Sequence, residues 1–307
     1  MTNSQLIKNS FDTNAITGTG KGGRLNPEQA KRFISYMTDN TEFLKDTRLE
    51  RMAAPEKQLD FLLIGSRLIR KATEATAPSE LASANITRKE LRSVKVRLSA
   101  DITAEFLEDN IEGESASDRI ARELAQQFGN DLTDLMLNGD TTDTSTESSF
   151  LTIGDGIIKQ GKDSTATHKF SLKNKSDYKG VIFPGMLKMM PNQFKRDRGN
   201  MRFYCSSSTA DSYITSLADR VSELGDRILT TGNLVKFLGI QIFPVEYMPD
   251  DVIILTHRLN LVSGVQRDMK VYSQFNQRKD LTEYTMYMRI DPGKIVWDDA
   301  FVIAYDF

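Results

Sequence analysis

The sequence predicts an α+β fold, in which strands near both ends of the chain accompany one long amphipathic helix and a mixed central region. Three observations favour this class. Residues 94–102 alternate apolar with polar side chains, as a half-buried strand does. Apolar side chains then recur at helical spacing over residues 120–136, and residues 284–290 alternate again. From a length of 307 residues we expect one large domain or two intergrown domains.

Composition and charge exclude several classes of protein. The 40 Lys and Arg residues nearly balance 42 Asp and Glu residues, and a net charge of -2 excludes a globally basic nucleic-acid coat. The longest apolar runs are too short to cross a bilayer, and residues 1–10 lack the apolar region of a signal peptide. The single cysteine, Cys205, excludes an internal disulfide. We therefore expect a soluble chain of intracellular type.

Residues that could carry out catalysis are sparse. His168 and His257 each lack a His or Cys three to five residues away, so no zinc site is indicated. The Gly-rich segment 18–23 departs from the phosphate-loop pattern at two positions. A nucleophilic pair of Cys205 and His257 would require tertiary proximity, and a half-buried thiol at the end of a strand is the simpler interpretation. We predict no catalytic residue, no metal ligand and no cofactor.

The first hundred residues predict an arm, a helix and a projecting hairpin. Residues 1–25 are polar and rich in Gly, Asn and Thr, which is typical of a mobile arm, and a helix is expected over 27–44. Strands are expected at 59–64 and 94–102. The stretch 71–89 between them is too polar for a core, which favours a long hairpin that projects from the body. An ordinary surface loop is the alternative.

The strongest helical signal follows this hairpin. Ser115 and Asp118 have the spacing of a capping box, and the apolar pattern stops at Asn138 and Gly139. A helix of about 20 residues makes a rod of roughly 30 Å, at about 1.5 Å per residue. The apolar positions that we expect to face the core are Ile120, Leu124, Phe128, Leu132 and Leu135.

Charge is distributed unevenly between these two neighbouring segments. Residues 65–97 contain eight basic and three acidic side chains, whereas residues 101–143 contain twelve acidic and two basic ones. We expect the basic hairpin of one copy to meet the acidic helix of another, because complementary charge sets the register between partners. Two solvated faces of opposite sign are the alternative. The basic residues expected at this interface are Arg67, Arg70, Lys71, Arg88 and Lys89.

The rest of the chain predicts mixed structure. Strands are expected at 181–184, 201–205, 240–242, 252–255, 284–290 and 295–305, with a helix at 212–224 and a turn at 291–293. A basic cluster comprises Lys188, Lys195, Arg196, Arg198 and Arg202. It could contact phosphate or acidic neighbours, or it could be a solvated loop.

The order of these parts resembles the Hong Kong 97-type major capsid protein of tailed bacteriophages. The similarity comprises an N-terminal arm, a long hairpin, an acidic lead-in, a long helix that ends in Leu-Asn-Gly-Asp at 137–140, a Gly-Ile-Ile segment at 156–158, and closing strands. The resemblance implies an N-terminal arm and helix over 1–57, an extended hairpin (E-loop) over 58–100, and a peripheral domain with the spine helix over 101–150. It also implies an axial domain over 151–271 and strands over 272–307 that return to the peripheral domain.

The function implied by this resemblance is structural. Copies would form the hexamers and pentamers of an icosahedral phage head that encloses double-stranded DNA without sequence-specific binding. A separate scaffolding protein and a portal would be partners. The protein would reside in the virion, after assembly in the host cytoplasm and without a membrane. Two alternatives are the shell of an encapsulin-like nanocompartment and a soluble hydrolase-type enzyme that uses Cys205.

Overall fold

The computed structural model describes most of the chain. The described residues are 23–24, 34–38, 41–63, 85–103, 115–144, 148–173, 175, 177–218, 235–266 and 270–307. They form two large sheets and a separate hairpin, together with helices that pack on the sheets. The predicted α+β class is confirmed.

Fourteen strands lie within the described residues. They are β1 (Gly23–Arg24), β2 (Arg48–Met52), β3 (Glu56–Leu63), β4 (Asn85–Arg92), β5 (Val94–Thr103), β6 (His168–Ser171), β7 (Met201–Cys205), β8 (Lys236–Phe237), β9 (Ile240–Pro244), β10 (Ile253–His257), β11 (Leu261–Gln266), β12 (Lys270–Asn276), β13 (Leu281–Ile295) and β14 (Phe301–Tyr305). The first sheet has the order β1-β12-β13-β11-β2, with β5 also paired to β13. The second sheet has the order β6-β14-β10-β7-β9-β8.

The α-helices of the described residues connect and cover these sheets. They are α1 (Glu42–Asp46), α2 (Ser115–Asn138), α3 (Ser148–Leu151), α4 (Ile157–Asp163), α5 (Phe183–Met189) and α6 (Ser207–Ala218). Residues 34–38 are also helical. A π-helical turn (Tyr178–Ile182) precedes α5, and 3-10 turns lie at Phe194–Arg196, Arg198–Asn200, Arg258–Asn260 and Asp298–Ala300.

The long strand β13 organises the first sheet. Its residues 281–290 pair with β5 along one side, while β12 and β11 pair in succession along the other side. Met286, Met288 and Ile290 of β13 are buried beneath the spine helix α2, whereas the intervening side chains face away from it. This alternation follows from the two-residue period of a strand.

The hairpin pairs different strands from those predicted. Strand β3 pairs with β4, which lies largely inside the stretch assigned from its polarity to the projecting tip. The predicted strand at 94–102 is present as β5, but it belongs to the first sheet. In β4, Lys89 and Leu91 are half-buried or buried, whereas Arg88 and Glu90 between and beside them are exposed. A two-stranded ribbon that is exposed on one face needs few apolar side chains, so low apolar content did not prevent strand formation.

The spine helix is confirmed with nearly the predicted bounds. Phe128, Leu132 and Leu135 are buried in the core that α2 shares with the first sheet, and Leu124 is half-buried. The side chain of Ile120 lies outside the described part of the structure.

The second sheet is buried on both faces. All five residues of β7 are buried, with Tyr204 in the core next to the spine helix and Phe203 in a second core on the opposite face. Helices α5 and α6 cover this second core through Phe183 and Tyr213, whose rings lie 5.1 Å apart. Double coverage explains why the strand carries no polar face.

The predicted strand at 181–184 is wrong, because these residues are helical. The Asp177 carboxylate accepts hydrogen bonds from the backbone N–H groups of Lys179 and Gly180, and this contact starts the π-helical turn. Pro184 lies at the start of α5, where its missing N–H costs nothing.

The C-terminal strands also differ from the prediction. The expected turn at 291–293 is an irregularity within β13, where Asp291 is buried and accepts hydrogen bonds from the backbone N–H groups of Arg92 and Gly293. The expected strand at 295–305 is divided, because the backbone N–H of Trp297 donates to Asn260 and the chain then passes through a 3-10 turn. Strand β14 consequently joins the second sheet, so residues 272–307 contribute to both sheets.

Two predicted helices have different bounds in the structure. Thr41 has an extended backbone between helical residues 34–38 and α1, so the helix expected over 27–44 is not continuous. The helix expected at 212–224 begins five residues earlier as α6, and its predicted end lies outside the described residues.

Truncating a buried spine side chain tests the role of α2 in the core. We expect Leu132→Ala to lower the free energy of unfolding by about 3 kcal/mol, because the side chain is 1% exposed and its removal leaves a cavity. Gln126→Ala, at an exposed position of the same helix, is the control and should change it by less than about 0.5 kcal/mol. Chemical denaturation measures both, and equal stability of the two variants would contradict this role.

Candidate subunit interface

The hairpin carries two of the five predicted interface residues, and both contact acidic side chains of the same chain. Nε of Arg88 lies 2.9 Å from Oδ1 of Asp60 across the hairpin, which raises the pKa of the guanidinium. Nζ of Lys89 lies 3.0 Å from Oδ2 of Asp298, so this lysine ties the hairpin to the body. The other three, Arg67, Arg70 and Lys71, lie outside the described residues.

The acidic character of the spine helix extends onto a neighbouring loop. Asp131 and Asp134 of α2 lie near Tyr247, which follows Glu246 in the loop after β9. Burial and these carboxylates raise the pKa of the Tyr247 hydroxyl, and burial also raises the pKa of Asp131. The Asn138 amide joins the two elements by donating to Asp134 at 2.7 Å and to the backbone oxygen of Tyr247 at 2.9 Å.

The end of the spine helix is fixed by a close contact between glycine residues. The backbone N–H of Gly156 donates to the carbonyl of Gly139 at 2.7 Å. A Cβ at Gly139 would overlap the carbonyl oxygen of Gly154, and one at Gly156 would lie 2.5 Å from the carbonyl oxygen of Leu137. Only glycine allows these two backbones to approach so closely.

A lysine and two carboxylates lie beside this glycine contact. Nζ of Lys159 lies 2.6 Å from Asp140 and 2.8 Å from Asp155. The hydrogen bond from Lys159, with two more from Thr142, lowers the pKa of Asp140 to about 2. Sequence spacing gave no indication of this cluster, because Asp140 and Lys159 are separated by a segment without a regular pattern.

Another polar cluster joins the N-terminal region to the second sheet. Asp46, at the end of α1, accepts a hydrogen bond of 2.8 Å from the hydroxyl of the buried Tyr204. Its carboxylate also lies 3.3 Å from Nε of Arg202 and 3.9 Å from Arg258. Burial and the adjacent carboxylate raise the pKa of Tyr204, which keeps the hydroxyl protonated as the donor.

The basic cluster predicted around residues 188–202 is divided by the structure. Arg202 is buried and donates to the backbone carbonyls of Gly199 and Met201, so its role is structural. Lys188, Arg196 and Arg198 are exposed, and Lys195 is half-buried.

The outer face of the first sheet has an open depression of about 750 Å³. Lys95 and Arg289 supply positive charge to its lining, and Tyr272 and Tyr287 supply aromatic surface. Nζ of Lys95 lies 4.4 Å from the centre of the Tyr287 ring, which is a cation–π geometry.

The nucleophilic pair considered for Cys205 does not form. In the sheet register Cys205 lies at the end of β7, whereas His257 of β10 pairs with Met201 at its start. Four residues of strand separate the two by roughly 13 Å. Cys205 is buried among apolar side chains, and burial raises its thiol pKa to about 12, so no thiolate is available at neutral pH.

Thiol labelling tests this burial directly. We expect Cys205 in the folded protein to react with a thiol reagent at least about a hundred times more slowly than in denaturant, because the thiol is both enclosed and protonated. A Ser208→Cys variant adds an exposed thiol on α6 and should label immediately. Rapid labelling of Cys205 in the folded, unsubstituted protein would contradict the structure.

Removing the Lys159 ammonium tests its effect on Asp140. In Lys159→Met we expect the Asp140 pKa to rise from about 2 toward its ordinary value of 3.8, as measured by NMR titration of the carboxyl group. Because the folded-state pKa is depressed, its stabilising contribution is present above the unfolded pKa and is lost as the pH falls toward 2. Lys162→Met, which removes a lysine that lies over the Tyr305 ring, is the control. An unchanged Asp140 pKa in Lys159→Met would contradict the assignment.

Comparison with known proteins reveals similarity in sequence to a capsid-named protein. No family model matches the chain. It is 26% identical over 305 residues to YqbE of Bacillus subtilis (strain 168), which carries the name of a prophage capsid protein, and the match covers 95% of this chain and 94% of that protein. Among the described residues, no helix has the length and apolarity needed to cross a membrane.

The fold is similar to that of solved capsids. The satellite phage P4 procapsid chain has a TM-score of 0.65 at 13% identity, and the match covers 90% of this chain and 98% of that one. The capsid of an empty GTA particle has a TM-score of 0.59 at 15% identity, with 87% and 90% coverage. The capsid of cyanophage P-SCSP1u has a TM-score of 0.57 at 10% identity, with 87% and 88% coverage.

The sequence relative carries the name of a capsid protein, and the structural neighbours named here are capsid chains. The resemblance noted in the sequence is confirmed: the chain has the Hong Kong 97-type fold of phage major capsid proteins.

Proposed function

We propose that this chain is the major capsid protein of a phage or prophage head, whose copies form an icosahedral shell around double-stranded DNA. The observation that carries the proposal is similarity over the whole chain, since a capsid-named relative and solved capsids each match nearly its full length. The protein functions as a capsid component by association with further copies of itself. Broad surfaces suit this task, because many modest contacts sum to a stable closed shell.

Finer features of assembly are part of the same proposal. Hexamers and pentamers build the shell, a separate scaffolding protein guides them, and a portal admits the DNA. Assembly takes place in the host cytoplasm. The near-neutral net charge of -2 supports enclosure of DNA without specific binding, since counterions then screen most of the phosphates.

The domain limits predicted from the sequence belong to this proposal. The peripheral domain comprises the spine helix with the first sheet, and the axial domain comprises most of the second sheet with α5 and α6. The positions of α2 and of β6 to β10 support the predicted limits of 101–150 and 151–271, whereas β11, inside the second range, pairs within the first sheet.

Chromatography at low and high salt, with negative-stain microscopy of the leading peak, tests the proposed function. We expect rings or closed shells that dissociate as salt increases, because exposed charge pairs are screened. A nanocompartment with the same fold would instead retain a cargo enzyme and exclude DNA. A protein that stays monomeric, alone and in the presence of its scaffolding protein, would overturn the proposal.

Charge reversal in the hairpin tests the predicted interface between hairpin and spine. We expect the combined substitutions Arg67→Glu, Arg70→Glu and Lys71→Glu to lower shell yield at least about tenfold, because like charges would then face the acidic helix. A control with Lys173→Glu, Lys188→Glu and Arg278→Glu makes the same change in net charge at exposed positions on other elements. Normal shells from the hairpin variant would contradict the predicted interface.

A further inference from the structure

The topology of the second sheet gathers basic side chains at one of its ends. Strands β7 and β9 are parallel and both begin there, and the antiparallel β10 finishes there. The 3-10 turns before β7 bring Lys195, Arg196 and Arg198 to this end. These three residues define the basic end. Arg258, in the turn after β10, lies 3.9 Å from the Asp46 carboxylate, and Asp197 contacts His257 and Asn200.

The same topology gathers acidic side chains at the opposite end. The loop that leaves β9 and enters β10 contains Glu246, Asp250 and Asp251, all exposed, and residues 245–252 include no Lys or Arg. These three residues define the acidic end. In the described part of the chain none of them takes part in an ion pair, and the spine carboxylates beside Tyr247 extend the negative surface.

Charges of the opposite sign near each end are accounted for separately. Lys173 and Lys175 follow β6, which is the edge strand three places away from β7, or roughly 14 Å. Asp298 and Asp299 precede β14 at the basic end; Asp298 contacts Lys89 of the hairpin, and Asp299 is exposed beside β14, two places or roughly 10 Å from β7. The contrast between the two ends is therefore strongest across β10, β7 and β9.

An exposed leucine in a strained conformation lies at the basic end. Leu238 occupies the turn between β8 and β9 with φ of +49°, a left-handed conformation that costs a leucine roughly 1–2 kcal/mol. Its side chain is 59% exposed, and its backbone oxygen accepts a hydrogen bond from Arg198 at 3.3 Å. Leu259, beside His257, is also exposed at 46%. The two-residue turn between antiparallel β8 and β9 accounts for this backbone conformation, because such turns need positive φ at both central residues. The exposure of two leucines at one end of the sheet gives no benefit within one copy and favours a partner surface there.

We propose that the basic end of the second sheet of one copy, with Leu238, docks against the acidic end of the second sheet of the next copy. The inference rests on the proposed function and specifies a contact within it. Because the two surfaces differ, the contact is head-to-tail, and repetition of the same rotation closes a ring. Each copy uses both of its ends, so a ring of five or six copies satisfies every charged surface.

Exchanging the charges of the two ends tests this pairing. Variant one carries Lys195→Glu and Arg196→Glu, and variant two carries Glu246→Lys and Asp251→Lys. We expect each alone to lower the yield of rings and shells at least about tenfold, because like charges then oppose each other at every contact. A chain with all four substitutions should assemble again, since the pairing is reversed but complementary. Circular dichroism and thermal melting verify that each variant is folded.

A mixture of the two variants gives a sharper result. Copies must alternate for every contact to be complementary, and alternation closes only in rings with an even number of copies. The mixture should therefore form six-membered rings and no five-membered rings, as counted by negative-stain class averages. Recovery of both ring sizes in the mixture, or no recovery in the four-substitution chain, would overturn the proposed contact.

Leu238→Asn separates the role of the leucine in assembly from its role in folding. Asparagine tolerates the left-handed conformation better, so we expect the variant to melt at a higher temperature than the unsubstituted protein and to assemble at least about threefold less. Unimpaired assembly of Leu238→Asn or of variant one, beside normal shells of the unsubstituted protein, would overturn the contact alone. Failure of the unsubstituted protein to form rings or shells, even with its scaffolding protein, would overturn the proposed function as well.

Discussion

Burial of the second sheet on both faces is the constraint on which the rest of the structure depends. Because β7 presents Tyr204 to one core and Phe203 to the other, neither face can carry the charge that a soluble assembly subunit needs. Apart from Arg202, which pairs with Asp46, the charged side chains of β7, β9 and β10 are therefore displaced to the two ends of these strands. This separation of charge is a consequence of the packing of the sheet, and the proposed contact between copies uses the ends rather than the faces.

The few polar groups inside the molecule hold its parts in fixed relation. Asp46 connects α1 to β7 and to Arg258, while Asp291 connects β13 to the hairpin through the backbone of Arg92. Burial raises the pKa of Asp291, and its two backbone hydrogen bonds favour the charged form in opposition. Such contacts add less net stability than apolar burial does, but they specify one arrangement of the elements.

The sequence predicted secondary structure best where one clear apolar pattern covered a whole helix or strand. The spine helix and strand β5 were predicted because their apolar spacing is regular, and strands β7 and β10 were predicted because short, largely apolar runs suit buried strands. The failures have local causes: Asp177 caps a helix in a segment whose β-branched residues favour a strand, and Asp291 stabilises an irregularity within β13 where Asp-Pro-Gly favours a turn. The acidic and basic ends could not be predicted, since they depend on which strands lie side by side. The contact between Asp140 and Lys159 depends on tertiary structure in the same way.

The close contact between Gly139 and Gly156 has a consequence for how this gene can vary. Any side chain at either position would meet a backbone oxygen, which cannot rotate away as a neighbouring side chain can. A library of single substitutions should thus lose nearly all variants at these two codons, although glycine has no side chain that could interact with its surroundings. Relatives that diverge almost everywhere else would still share this pair, and the pair could serve as a landmark for aligning them.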